Sequence, residues 1–303
     1  MKNFLFKWTA RIFAPDVAAN MDREGTMSTD APSVADEQFM VVEDNGSDVT
    51  VFCWAGMAVL FAGMPAFEFR KLLVGQGDRF NLVFFRDLRR IGYMEKPDGS
   101  DGGVEFFQEK CQEVMAQLGS RYNICVGASA GASTAVFFAS RLKMDHVIAF
   151  GPIFDADLYT DWKQQLRHYL NLKLLVTEPQ AWFEVIMMML GGYAVKTKMR
   201  RRFGPDAIND VVGAYRNAVP RPKATVFHGK YCAPDRVQAH LLDPFPEVEF
   251  VPVESGRHNV AAILKKQGKL AETIVDAIHR GLEERGIEAT ESPREEAAVA
   301  AGK

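Results

Sequence analysis

Residues 124–135 read ICVGASAGASTA. An apolar run enters Gly127-Ala128-Ser129-Ala130-Gly131, and a run of small residues leads out. Composition alone produces Gly-x-Ser-x-Gly in roughly one chain of this size in ten, so the motif by itself decides little. Its flanks decide more. Residues 122–127 have the continuous apolar character of a strand, and 130–142 have helical spacing. A strand that turns straight into a helix strains the residue at the turn, and the residues two places away must lack bulk. Gly127 and Gly131 meet that need. The helix N-terminus then directs free N–H groups and its positive dipole end at the serine. The pattern predicts Ser129 as a nucleophile on a tight turn rather than a flexible Gly/Ser loop. Ser133, one turn into the helix, is the nearest competitor.

Outward from this stretch, strand-like and helix-like segments alternate. Strands are predicted at 48–54, 80–85, 122–127, 146–152, 224–229 and 248–254, and helices at 64–73, 103–119, 130–142 and 259–285, the last in two pieces around Gly268. Alternation of this kind gives an α/β fold, a mostly parallel sheet with helices on both faces. The unbroken apolar strands suit burial on both sides. Residues 153–222 break the rhythm with several helices and no strand, which predicts a helical cap over one end of the sheet. Residues 1–47 read as a leader, largely flexible because 15–47 are rich in Asp, Glu, Ser, Ala and Pro. The fold proper spans 48–286, and 287–303 read as a disordered tail.

A serine hydroxyl needs a base, and the base needs an orienting acid. Of the six histidines, His146 begins a strand, His228 ends one, and His168, His240 and His279 lie in helical patterns. His258 sits in ESGRHN, just past the apolar run 248–253, on a loop at a strand's C-terminal end. That edge of a parallel sheet is where sites form. For the acid, the loop HGKYCAPDRV after strand 224–229 carries Asp235. Asp243 in LLDPFPE is the runner-up. Asp87 in FFRDLRR is a third candidate, with ion pairing to Arg86, Arg89 or Arg90 as its plainer reading.

Ser129, Asp235 and His258, in VGASAG, HGKYCAPD and SGRHN, follow the order of one hydrolase architecture. From about residue 48 to 286 the chain resembles the α/β-hydrolases. More loosely it is similar to little-characterised bacterial members with an FRDLR-like stretch. The resemblance implies a Ser-His-Asp triad and cleavage of a carboxylic ester or thioester through an acyl-enzyme, with neither metal nor organic cofactor. It also implies an oxyanion hole of two backbone N–H groups. One belongs to Ala130, the residue after the nucleophile. The other lies in WAGMA (54–58), on Gly56 or Met57, where Trp54-Ala55-Gly56 departs from the His-Gly pair of many members. Acyl transfer to an alcohol or sugar with the same three residues remains open, as does a non-catalytic binding role.

Specificity is expected to reside in the cap. Trp182, Met188 and Tyr193 are candidate lining residues of an apolar acyl pocket; packing of the cap on the body is their other reading. The basic run KTKMRRRFG (196–204) contains Arg200, a candidate for binding a phosphate or carboxylate on the substrate. A solvated helix face is the alternative. The expected partner is a small acyl ester or thioester.

The bulk numbers agree. Over 303 residues the chain is 48% hydrophobic and 25% charged, with a net charge of −3, which gives no general attraction to nucleic acid or anionic membranes. The four cysteines form no CxxC pair or zinc-like cluster, so no metal site is expected and reduced thiols in the cytoplasm are. No run reaches the ~20 apolar residues of a membrane span; 181–195 comes nearest and carries Glu184. In residues 1–14, MKNFLFKWTARIFA, Lys7 and Arg11 break the apolar run that a secretory signal needs. A packed or frayed leader is the simpler reading there, and weak membrane-surface contact the other.

Overall fold

The computed structural model describes residues 38–56, 67–76, 79–161, 163, 166, 172–204 and 210–287. The expectations for residues 1–37, Met57 and 288–303 lie outside them. The strands are β1 (Met40–Glu43), β2 (Val49–Trp54), β3 (Asn81–Phe85), β4 (Tyr122–Ala128), β5 (His146–Phe150), β6 (Lys223–Gly229) and β7 (Val248–Val253). They form one sheet in the order β1-β3-β2-β4-β5-β6-β7. All neighbours are parallel except β1, which runs antiparallel to β3.

The six predicted strands are present within a residue or two of their expected ends. Every residue of β2, β3 and β5 is buried, as apolar runs covered on both faces require. One face meets the helices α1 (Gly103–Leu118) and α2 (Ala130–Leu142). The other meets α3 (Val260–Lys266) and α4 (Leu270–Glu284), the two pieces expected around Gly268. On the α1/α2 face, Trp54 at the end of β2 stacks on Phe85 and on Phe138, with ring centroids 4.5 Å away in each case. Such aromatic contacts fix the end of β2 against α2, the helix that Ser129 leads into.

Three expectations are corrected. The span read as a leader, 1–47, contains β1, whose Met40 pairs with Phe85 and whose Glu43 pairs with Leu82. A four-residue, half-buried edge strand leaves little periodic signal inside an acidic, Ser-rich stretch. The helix expected over 64–73 is described only from residue 67 and is α-helical over Arg70–Leu73. Between β5 and β6 the described residues do form helices and no strand, namely Ala156–Thr160, Leu172–Thr177, Pro179–Phe203 (α5) and Val211–Asn217. The last of these belongs to the body rather than the cap, because Val211 and Tyr215 are buried in the core beside α2.

Candidate active site

Ser129 sits where β4 ends and α2 begins. Its φ is 54° and its ψ −124°, a strained backbone for a residue with a side chain. The flanking glycines permit it. A β carbon on Gly127 would meet the Gly131 carbonyl oxygen at 2.2 Å, and one on Gly131 would meet the Trp54 carbonyl oxygen at 2.3 Å. The Ser129 N–H donates to Phe150 O at 2.8 Å, which ties the turn to β5. Ser133 is engaged elsewhere: its Oγ donates to Ile153 O (2.7 Å) and accepts from Ile153 N (2.9 Å).

His258 follows β7 and reaches the serine. Its Nε2 lies 2.8 Å from Ser129 Oγ, and its Nδ1 lies 2.7 Å from Asp235 Oδ1. An ionised carboxylate only accepts, so Nδ1–H donates to Asp235. Nε2 is then left as the acceptor for the Ser129 hydroxyl. His258 is 2% exposed and Asp235 fully buried. Burial pulls the histidine pKa down, but the Asp235 charge and hydrogen bond, with the Glu184 charge, carry it above the ordinary value. The structure therefore brings together the three residues singled out in the sequence. The competing acids are occupied. Asp87 accepts the backbone N–H groups of Arg89, Ile91 and Tyr93 at 3.0, 2.7 and 3.1 Å, shaping its own loop. Asp243 pairs with His240 at 2.8 Å on the surface.

Ala130 opens α2, where the first N–H groups have no acceptor within the helix. Gly56 does border the turn, since a β carbon on Gly131 would lie 2.9 Å from Gly56 N. Its N–H is not an open donor, however: it donates to Glu68 Oε2 at 3.1 Å. Removal from water raises the Glu68 carboxyl to about 7, against the opposing effect of that hydrogen bond. Sequence spacing gives no sign that Glu68 folds back onto this loop.

The cap residues divide by position along α5. At about 1.5 Å per residue, Tyr193 and Arg200 stand about 13 and 24 Å along the axis from Glu184, which contacts the His258 loop. Tyr193 is 62% exposed and lines a surface groove with Lys198, Arg201 and Arg202. Arg200 pairs with Asp157 at 2.6 Å. Neither is drawn to Ser129. Trp182 is half-buried near the His258 end of α5, and Met188 lies on the same helix with its side chain outside the described residues. Glu184, Glu178 and Arg257 escaped the sequence analysis although all three engage the His258 loop. The one available signal was a lone carboxylate inside the apolar run 181–195.

Among the described residues, no group of His, Cys, Asp and Glu could hold a metal ion, and no helix is long and apolar enough to cross a membrane. The four cysteines are free and buried.

No family model and no curated protein matches the chain. Solved structures do. A variant of the capsule O-acetyltransferase of Neisseria meningitidis serogroup A, in complex with CoA, is 11% identical over 79% of this chain and 90% of that one, with a TM-score of 0.51. A structure from work on carboxylesterases of Nitrososphaera gargenis is 13% identical over 81% and 96%, at 0.48. The proline iminopeptidase of Mycobacterium smegmatis is 10% identical over 80% and 94%, at 0.46. With its strand order, its turn at Ser129 and the likeness to the O-acetyltransferase variant, the chain has the α/β-hydrolase fold.

Proposed function

We propose that the protein is a serine hydrolase that cleaves a carboxylic ester or thioester through an acyl-enzyme. The observation that carries this reading is the unbroken hydrogen-bonded chain from Ser129 through His258 to Asp235 on a strained strand-to-helix turn. In the first half-reaction Ser129 Oγ bonds to the carbonyl carbon while His258 Nε2 takes the hydroxyl proton. Asp235 holds the ring and balances the imidazolium charge. The Ala130 N–H donates to the oxyanion, and one such donor is worth about 3 kcal/mol of barrier. The bond to the leaving group then breaks, and His258 returns its proton to the departing alkoxide or thiolate. Water, deprotonated by His258, attacks the acyl-Ser129 ester, and the acid leaves as His258 returns that proton to Ser129 Oγ.

Transfer of the acyl group to an alcohol is a second reading. It is suggested by the likeness of this fold to that of the capsule O-acetyltransferase variant. The test is fluorophosphonate labelling of the purified protein beside Ser129→Ala, with the adduct located by mass spectrometry and turnover followed on p-nitrophenyl esters and acyl thioesters. Labelling at Ser129 that vanishes in the variant supports the nucleophile, and loss of a triad serine costs on the order of 10⁶ in turnover. A folded protein that takes no label at Ser129 ends the proposal. Added alcohols that divert the product from acid to ester favour the second reading.

A further inference from the structure

The loop Glu254–Asn259, which carries His258, is held from outside by carboxylates of the cap. Glu178, the residue before α5, accepts from Ser255 Oγ through Oε1 at 2.6 Å and from Gly256 N through Oε2 at 2.7 Å. Glu184, within α5, accepts from Arg257 Nε through Oε2 at 2.7 Å and from Asn259 N through Oε1 at 2.9 Å. The two bonds from Glu184 thus fall on the residues immediately before and after His258. The Arg257–Glu184 pair is buried, with side chains 6% and 7% exposed. Leu174 of the preceding cap helix closes on the same loop: a β carbon on Gly256 would meet its Cδ1 at 2.4 Å.

A buried ion pair is a poor source of stability, because desolvation of both charges offsets their attraction, and apolar replacements often fold as well or better. It is a strong source of geometry. Each carboxylate oxygen has one directed donor, and the donors bracket a histidine whose Nε2 must stay within hydrogen-bond reach of Ser129. We propose that Glu184 is a positioning residue that ties α5 to the His258 loop, so that the histidine is correctly placed only while the cap helix is seated. This rests on the reading of Ser129 as the nucleophile. The cap then acts on the chemistry as well as on specificity: a substrate that shifts α5 also shifts the base.

Among the described residues, the charged and titratable groups facing His258 include Asp235 on the helix after β6, Glu184 on α5 and Arg257 beside it in the loop, with the buried Cys232 thiol next to Asp235. Of these, Glu184 supplies negative charge from the cap. Its removal withdraws support from the imidazolium, so the apparent pKa of His258 falls and the acidic limb of the rate profile moves to lower pH.

Three forms are compared: wild type, Glu184→Gln, and the double variant Glu184→Met with Arg257→Met, which replaces the buried pair with apolar groups. Rates of fluorophosphonate labelling are measured across pH, and the His258 ring is titrated by NMR without substrate. Expected are labelling rates about ten- to a hundredfold below wild type in both variants, the cost of a base displaced by up to an ångström. Glu184→Gln should also show the downward shift of the His258 titration, and the double variant a melting temperature near or above that of wild type. A double variant that labels at the wild-type rate, or a His258 titration unmoved in Glu184→Gln, overturns the proposal. Absence of label in wild type removes the nucleophile reading instead, and the NMR titration still decides whether Glu184 acts on His258.

Discussion

A β carbon on Gly151 would stand 2.6 Å from the carbonyl oxygen of His258. Gly151 follows β5 with φ at 54°, and its N–H donates to Phe227 O at 2.8 Å. The histidine loop thus rests on bare backbone at the C-terminal edge of the sheet. Gly151→Ala adds strain of about 1–3 kcal/mol at a left-handed position and pushes His258 away from Ser129. The expected result is a folded protein, destabilised by roughly that amount in urea, whose Ser129 labels about 10²-fold more slowly. Wild-type labelling by this variant would show that the loop does not need the contact.

The same histidine sets the pH dependence. Its pKa is raised above the ordinary 6.5, burial opposing and Asp235 and Glu184 favouring the charged form. Attack needs the neutral ring, so labelling should be slow in acid and rise through a limb centred above pH 6.5. Asp235→Asn removes the charge and the acceptor that selects the tautomer. It should cost about 10⁴ in rate and move the remaining limb downward. A limb that stays in place in Asp235→Asn would assign the titration to another group.

How much of this was legible in sequence depends on the range of the interactions. β2 through β6 were readable because burial on both faces writes a largely apolar run, which is a local property, and the edge strand β7, in which only Val253 is buried, through its Val and Phe residues. Ser129 was readable because the sterics of its turn demand Gly127 and Gly131 within two residues. Asp235 and His258 followed from strand ends and chain order. The failures are long-range. Glu184 meets the histidine loop from 75 residues away, and within its own helix it is a single carboxylate in an apolar run. Glu68 reaches the Gly56 N–H across 12 residues that carry no spacing signal for that contact. β1 is legible only through its partner, since Met40–Glu43 pairs with β3 some forty positions later.

Glu68 makes a separate prediction about stability. Its carboxyl is raised from 4.5 to about 7, chiefly by removal from water, with the Gly56 hydrogen bond pulling the other way. A folded-state pKa above the unfolded value means that the fold binds the proton more tightly. Stability from this group is therefore complete below pH 4.5 and is lost as pH rises through about 7. The side chain keeps some contact with solvent, so the effect should be about 1–3 kcal/mol. Glu68→Gln removes the ionisation. In chemical denaturation it should gain on wild type between pH 5 and 8.5 (about that range, set by the two pKa values). Parallel curves for the two proteins would mean that Glu68 ionises at its ordinary pH.

His146 should act in the opposite direction. It opens β5 fully buried, with Nε2 3.0 Å from Thr225 Oγ1. Burial lowers its pKa from 6.5 to about 3, helped by the charges of Lys223 and Arg280. A depressed histidine pKa means that the fold holds the neutral ring while the unfolded chain takes up a proton. Its contribution is complete above pH 6.5 and is lost as pH falls toward about 3, a change of about 3–5 kcal/mol across the window. His146→Gln keeps a polar group near Thr225 and cannot titrate there. Its stability should start below that of wild type at pH 7.5 (about one unit above the ordinary histidine value) and decline more gently toward acid. If the two acid limbs are equally steep, protonation of His146 is not what opens the sheet.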